Sequence, residues 1–315
     1  MKKIIFTTLI STLFLCSAWA QQDAGFSQYF FNQLYINPAY AGSKDALVTT
    51  LVHRSQWVGV SGAPITQSLT MHMPIPHTRA GVGLQVYNDK TGPLSNTAIQ
   101  ATYSYYIPVG SFKLAYGLAG SLHNMRVNWD EINIEDKTDQ SFLGNSYSWV
   151  PDVSAGAYLY KERFYAGISA THFLQSRLNL ANNSDINNPA RFYRTYYFTT
   201  GIVLKVNDKV DFRPSILVKG IKASPINMDL NASFIFNQKF FIGAGFRTGK
   251  RINIAGLDNQ VIGILEYQFN NSFRIGYSYD WYLNRTGKYN NGTHEVMIGF
   301  NINVTKTKMS SPIFF

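Results

Sequence analysis

The sequence predicts an all-β fold, a 14-stranded antiparallel transmembrane β-barrel, and three observations carry that prediction. Apolar and polar residues alternate with period two from residue 45 onward, the signature of strands rather than helices. The alternating segments come to fourteen, an even number, as bacterial single-chain barrels require. The connections between them are short and long by turns.

The chain opens with Lys2-Lys3, an apolar run from Ile4 to Leu15, and Ala18-Trp19-Ala20. This is the charged, apolar and small-residue order of a secretory leader, so residues 1–20 are expected to be removed. The apolar run falls short of the roughly 20 residues of a membrane-spanning helix, and no longer run follows, so any membrane crossing must be made by strands. Cys16 is the only cysteine and leaves with the leader, which excludes disulfides and thiolate chemistry in the mature chain. Residues 21–44 carry the turn-forming Asn37-Pro38 and Tyr40-Ala41-Gly42 and break continuous strand. They are expected to plug the lumen or to lie beneath the barrel on the periplasmic side. The barrel is expected over 45–304, with 305–315 as a C-terminal tail.

Strands are read near 46–53, 66–73, 79–89, 95–107, 112–128, 153–160 and 164–173. Seven more follow near 195–206, 210–219, 227–236, 240–248, 260–269, 273–282 and 294–304. Many approach the roughly 9–11 residues that a tilted strand needs to cross a bilayer. In the fifth, Leu114, Tyr116, Leu118 and Leu122 share one face, and Lys113, Ala115, Gly117, Ala119, Ser121 and His123 the other. Alternation alone does not say which face is inside, since a soluble sandwich alternates too, with its greasy face inward. Connection length separates the two. The connections 74–78, 108–111, 161–163, 207–209, 237–239 and 270–272 are short, whereas 54–65, 129–152, 174–194, 249–259 and 282–293 are long. With the first strand entering from the periplasm, the short ones are periplasmic turns and the long ones outer loops.

The formal charge of +10 rests on only 15% charged residues with no dense basic stripe. That argues against nucleic acid and for anionic lipid headgroups or lipopolysaccharide. Aromatic residues, also 15%, suit a membrane interface. No catalytic residue, metal ligand set or cofactor motif is expected. His294-Glu295 lacks the second histidine of a zinc helix, and His53, His72, His77, His123 and His172 show no ligand spacing. Gly81 and Gly83, like Gly243 and Gly245, alternate on one face and make room inside a barrel. Arg213, Lys219, Arg247, Glu266, Arg274, Asp280 and Glu295 fall on the polar face, as braces of the wall or as a binding or conduction path. Arg54, Gln56, Trp57 and Pro64 in the first long loop are candidate partner-binding residues, because Trp and Arg dominate protein interfaces, with a folded-in loop as the alternative for Trp57. Asp280 and Glu295 are expected to shape the outer end of the lumen, and Trp281 and Tyr282 to join an aromatic girdle. Trp129 and Trp149 are placed in a long loop with Asp130, Glu131, Glu135 and Asp136.

Several of these residues sit in runs that resemble a known family. The runs are Phe26-Ser27-Gln28-Tyr29, then Asn37-Pro38-Ala39-Tyr40-Ala41-Gly42, Arg54-Ser55-Gln56-Trp57-Val58-Gly59 and Gly62-Ala63-Pro64. Gly276-Tyr277-Ser278-Tyr279-Asp280 and His294-Glu295-Val296 follow toward the end. Together they resemble the PorP/SprF family of the Bacteroidetes type IX secretion system. The resemblance implies an outer-membrane barrel that exports or anchors a large surface adhesin or gliding protein through its C-terminal sorting domain. It also implies contact with periplasmic ring components of the machinery, and it marks Asn37, Pro38, Tyr40 and Gly42 as motif residues. A porin or transporter for small solutes or lipids is the alternative.

Overall fold

The computed structural model describes residues 24–131, 146–178, 190–222, 224–248, 259–283 and 285–303. The expected leader, the tail, Glu135 and Asp136 lie outside the described residues. Among the described residues, fourteen antiparallel strands close into one barrel. They are β1 (Ala46–Ser55), β2 (Ile65–Pro74), β3 (Ala80–Thr91), β4 (Leu94–Val109), β5 (Phe112–Val127), β6 (Ser146–Lys161) and β7 (Phe164–Thr171). After β8 come β9 (Val210–Ile221), β10 (Asn227–Phe236), β11 (Phe240–Thr248), β12 (Gln260–Gln268), β13 (Phe273–Tyr282) and β14 (Thr293–Asn303). β8 runs over Thr195–Ile202 and, after a break at Val203, over Leu204–Lys205; both pieces pair with β9. Each strand pairs with its sequence neighbours, and the first pairs with the last from Ala46↔Asn303 to Ser55↔His294, which leaves no open edge.

The structure settles which face is in. The large apolar residues point outward: Leu118 is 63% exposed, and Leu51, Ile99, Tyr103, Ile168, Phe234 and Ile242 are exposed in the same sense. On the same strands Thr50, Thr102, Ala119, Ser169, Ser233 and Arg54 are buried. A greasy belt around the whole wall is stable in hydrocarbon and unstable in water, where contiguous apolar patches rarely exceed a few hundred Å². The connections 75–79, 110–111, 162–163, 206–209, 237–239 and 269–272 gather at one rim, and the long ones at the other, with 92–93 and 222–226 as short exceptions.

Three readings are corrected by the structure. β1 continues to Ser55, so Arg54 is a wall residue and not a loop residue. β6 begins at Ser146 and carries Trp149 on its outer face, because the pairing with β5 extends through Val127↔Ser146. Pro151 lies within this added stretch, paired opposite Leu122. Tyr282 is buried, whereas Trp281 beside it is exposed, so only Trp281 is placed for a girdle.

Inside the wall lies the N-terminal segment. Three short 3-10 turns, Tyr29–Phe31, Gln33–Tyr35 and Pro38–Tyr40, fold it compactly, and almost every residue from Phe26 to Ala41 is buried. It runs from the long-loop rim, where Ala24 and Gly25 line the mouth, to the short-turn rim, where Gly42 packs on Gly81. The chain then reverses into β1 and climbs back as wall. Thus β1 enters from the short-turn side as expected, while the residues before it emerge at the opposite mouth.

Candidate functional site

At the long-loop end of the lumen, β1, β13 and β14 each bring one charged side chain to one point. Strand alternation puts Arg54, Asp280 and Glu295 on the inner face, and register brings them together, since Arg54 pairs with Glu295 across β1 and β14. Arg54 Nη2 lies 2.6 Å from Asp280 Oδ2, and Nη1 lies 3.0 Å from Glu295 Oε2. The guanidinium is 3% exposed and both carboxylates 0%. A second arginine adjoins this pair of buried carboxylates. It is Arg247 of β11, paired with Asp229 of β10 at 2.8 Å and 3.6 Å from Asp280.

This cluster grips the N-terminal segment. The Ser27 and Gln28 backbone N–H groups donate to the two oxygens of Glu295 at 2.9 and 2.8 Å. The Ser27 hydroxyl donates to Asp280 at 2.8 Å and accepts from Arg54 Nη1 at 3.0 Å. Arg247 Nη2 donates to the Phe26 carbonyl at 3.1 Å. Arg54, Asp280, Glu295 and Arg247 thereby each meet partners on wall and segment alike, which a buried ion pair needs to offset its desolvation. Farther down, Phe31 lies between Arg213 and Arg274, whose guanidinium carbons are 4.6 and 4.9 Å from its ring centroid. Arg274 faces Glu266 at 3.8 Å.

The Asn37-Pro38 motif acts at the other end. Pro38 opens the last 3-10 turn, a position that needs no N–H, and Asn37 caps it by accepting from Ala39 N at 2.9 Å. The Asn37 amide also donates to the Ala157 carbonyl of β6 at 3.0 Å. Gly117 and Gly156 on the wall face Ala39 and Asn37 so closely that a Cβ at either position would collide with them. Tyr40 stacks edge-on against His72 and Tyr158, with centroids at 5.0 and 5.4 Å. Gly42, at φ +68, takes the left-handed turn that glycine favours, and its N–H donates to His72 Nδ1 at 3.2 Å.

Alongside the gripped segment, from Tyr35 and Ile36 up to the long-loop mouth, opens a vestibule of about 470 Å³. Gln56, Trp57, Pro64, Tyr282, Lys219 and Asp229 line it, together with Arg54. Trp57 does not stand out into solvent. Its backbone takes φ 49, its ring packs edge-on to Tyr282 at 6.3 Å, and its loop is tied to the last long loop by Val58 N to the Gly292 carbonyl at 2.9 Å. The structure therefore joins Arg54, Asp280 and Glu295 in one cluster and sets Gln56, Trp57 and Pro64 above it; Asn37, Pro38, Tyr40 and Gly42 hold the far end of the segment. Sequence reasoning missed Ser27, Gln28, Asp229 and the bridging role of Arg247. Ser27 lies 253 and 268 positions from its two carboxylates, and only the family-like run around it set it apart. It also missed that His123, Asp152 and His172, remote in sequence, converge on a second buried cluster.

No curated protein matches the chain. Among solved structures, the CymD monoaromatic hydrocarbon channel is 10% identical, with a TM-score of 0.51 and coverage of 86% of this chain and 92% of its own. Omp33 of Acinetobacter baumannii, an outer membrane protein, is 8% identical over 82% and 99% of the two chains, with a TM-score of 0.47. The Pseudomonas putida toluene transporter TodX is 9% identical over 89% and 95%, also at 0.47. At these identities the CymD likeness speaks for the fold alone, an outer-membrane barrel. Residues 18–300 match the model of the type IX secretion system membrane protein PorP/SprF, which takes in both the Ser27 run and the Asp280–Glu295 cluster, and the chain belongs to that family.

Proposed function

We propose that this outer-membrane barrel serves type IX secretion by binding, with its lumen closed by residues 24–44, and holds a large secreted surface protein at the vestibule. The observation that carries the reading is the Arg54–Asp280–Glu295 cluster closed on Ser27. It commits these lumen charges to an internal segment, and the space that opens outward to a ligand is the vestibule at the long-loop mouth. The vestibule offers what an interface hot spot needs: a tryptophan and a tyrosine set among charges of both signs, in a concavity. The partner suited to it is a C-terminal sorting domain of the adhesin or gliding-protein class. Periplasmic ring components would meet the opposite, short-turn rim, and outer-membrane lipid and lipopolysaccharide the greasy belt.

The test is capture from solubilised native outer membranes with tagged wild-type protein and Trp57→Ala. Co-purification of one large surface protein, reduced at least tenfold by Trp57→Ala, is the expected result. Capture of ring components alone would move the role to the machine itself. The transporter reading starts from CymD, a channel by its description, and from the polar lumen. It is separated by conductance: the wild-type barrel should be silent in planar bilayers and the variant lacking 21–44 should conduct. A wild-type barrel that conducts steadily would instead favour solute transport.

A further inference from the structure

On the wall of β5 to β7, near the long-loop rim, three side chains of metal-ligating type converge. His123 of β5, Asp152 of β6 and His172, the residue after β7, each offer one ligand atom, and these atoms lie within 4.8 Å of one another. All three residues are buried. We propose that they form a binding site for one divalent transition metal ion of the zinc class, which ties the strands that carry the two longest outer connections.

The donor set suits such an ion. Two imidazoles and one carboxylate make the nitrogen and oxygen set that zinc takes at about 2.0–2.2 Å, and a fourth position stays open to water. An ion with bonds of that length spans ligand atoms about 3–3.5 Å apart, so the Asp152–His172 contact of 2.5 Å would open while the wider separations, within 4.8 Å, close on the ion. Calcium and magnesium are disfavoured, because they ask for oxygen ligands throughout.

The surroundings hold these groups in the manner of a second shell. His123 has a hydroxyl beside each ring nitrogen, Tyr87 Oη at 3.3 Å from Nδ1 and Ser121 Oγ at 3.1 Å from Nε2. Whichever nitrogen takes the metal, the other keeps a hydroxyl acceptor, and Tyr87 is itself anchored by Asn96 Nδ2 at 3.1 Å. Asp152 Oδ1 accepts from the Leu174 backbone N–H at 3.2 Å, while Oδ2 lies 2.5 Å from His172 Nδ1. His172 departs from the strand at φ 58, and that turn carries its ring into the lumen wall. Phe192 stacks on the His172 ring at 4.5 Å and 9° and also lies 4.8 Å from the His123 ring, an apolar cover that shuts out bulk water.

Without metal, the same residues would form a hydrogen-bonded His–Asp brace. The two readings differ in what added metal does. The full-length barrel, refolded in detergent with a histidine-free tag and stripped with chelator, is titrated with zinc alone by calorimetry and with cobalt(II) alone by absorption. One zinc per chain is expected, with the intense visible band of low-coordinate cobalt and a higher melting temperature in zinc than in chelator. His123→Gln/His172→Gln together should abolish all three signals. Asp152→Asn keeps the shape and the acceptor for Leu174 and should weaken zinc at least tenfold, and Tyr87→Phe should weaken it about tenfold. The shift of electrophoretic mobility on heating reports whether each variant is a folded barrel; Asp152→Asn serves as the reading variant if the double one is not. Zinc uptake that is equal in wild type and Asp152→Asn, or a wild-type melting temperature indifferent to zinc, overturns the site and leaves a brace.

Discussion

Glu295 and Ser27 show at the level of single residues how the lumen is closed. Glu295 accepts two backbone N–H groups and an arginine with no solvent exposure, so removing its charge leaves Arg54 and those donors short of partners in a buried setting. Breaking a buried pair in this way costs about 3–5 kcal/mol. Glu295→Gln is therefore expected to lower barrel stability by about that amount in a reversible urea titration in lipid vesicles. Ser27→Ala removes one hydroxyl bonded to charged groups and should cost about 1.5–3 kcal/mol. Should both variants unfold with the wild type, the cluster does not hold the segment. Asp280 and Glu295 are legible as polar-face residues from alternation, whereas Arg54 reads as part of the first loop and only pairing with β14 places it on the wall. Their joint hold on Ser27 is not legible, because it depends on a segment with no periodicity of its own.

Strands and turns set the next scale. β5 presents Leu118 to lipid and Gly117 to the lumen, on adjacent residues with opposite demands. Leu118→Arg puts a charge in hydrocarbon and is expected to cost about 2–4 kcal/mol in vesicle refolding, against a small effect for Leu118→Ile. A value near zero would mean that this face is not in the bilayer. Gly117→Val adds bulk where the wall touches Ala39, although valine is a good strand residue. The barrel should still form, while the N-terminal segment is displaced, seen as new protease cleavage before residue 45 and the appearance of conductance. Alternation and turn residues made most strands readable. Where they misled, pairing decided: β6 reads as 153–160, yet β5 offers it partners back to Ser146.

For the whole molecule, the path of the chain matters most. The segment crosses the lumen from the long-loop mouth to the short-turn rim and the chain returns as β1, so Gly25 is exposed at the same end as Trp57. Apart from Cys16 the chain has no cysteine, which makes a single introduced thiol readable. Gly25→Cys should react with a membrane-impermeant maleimide on intact cells, and Ser111→Cys, in a short turn, only after the outer membrane is opened. The reverse pattern would invert the orientation on which the vestibule reading depends.

The sequence by itself determined the architecture. Period-two alternation, fourteen segments and paired short and long connections leave few folds open, because each strand must satisfy its backbone against neighbours and send its greasy face one way. The family-like runs named the class of protein. Only the tertiary structure decided that the greasy face is outside, that Arg54 belongs to the wall, that Tyr282 points inward and that residues 26–41 fill the lumen. Those facts rest on closure of the barrel, which brings residues more than 250 positions apart into hydrogen-bonding distance, and no local pattern encodes such contacts.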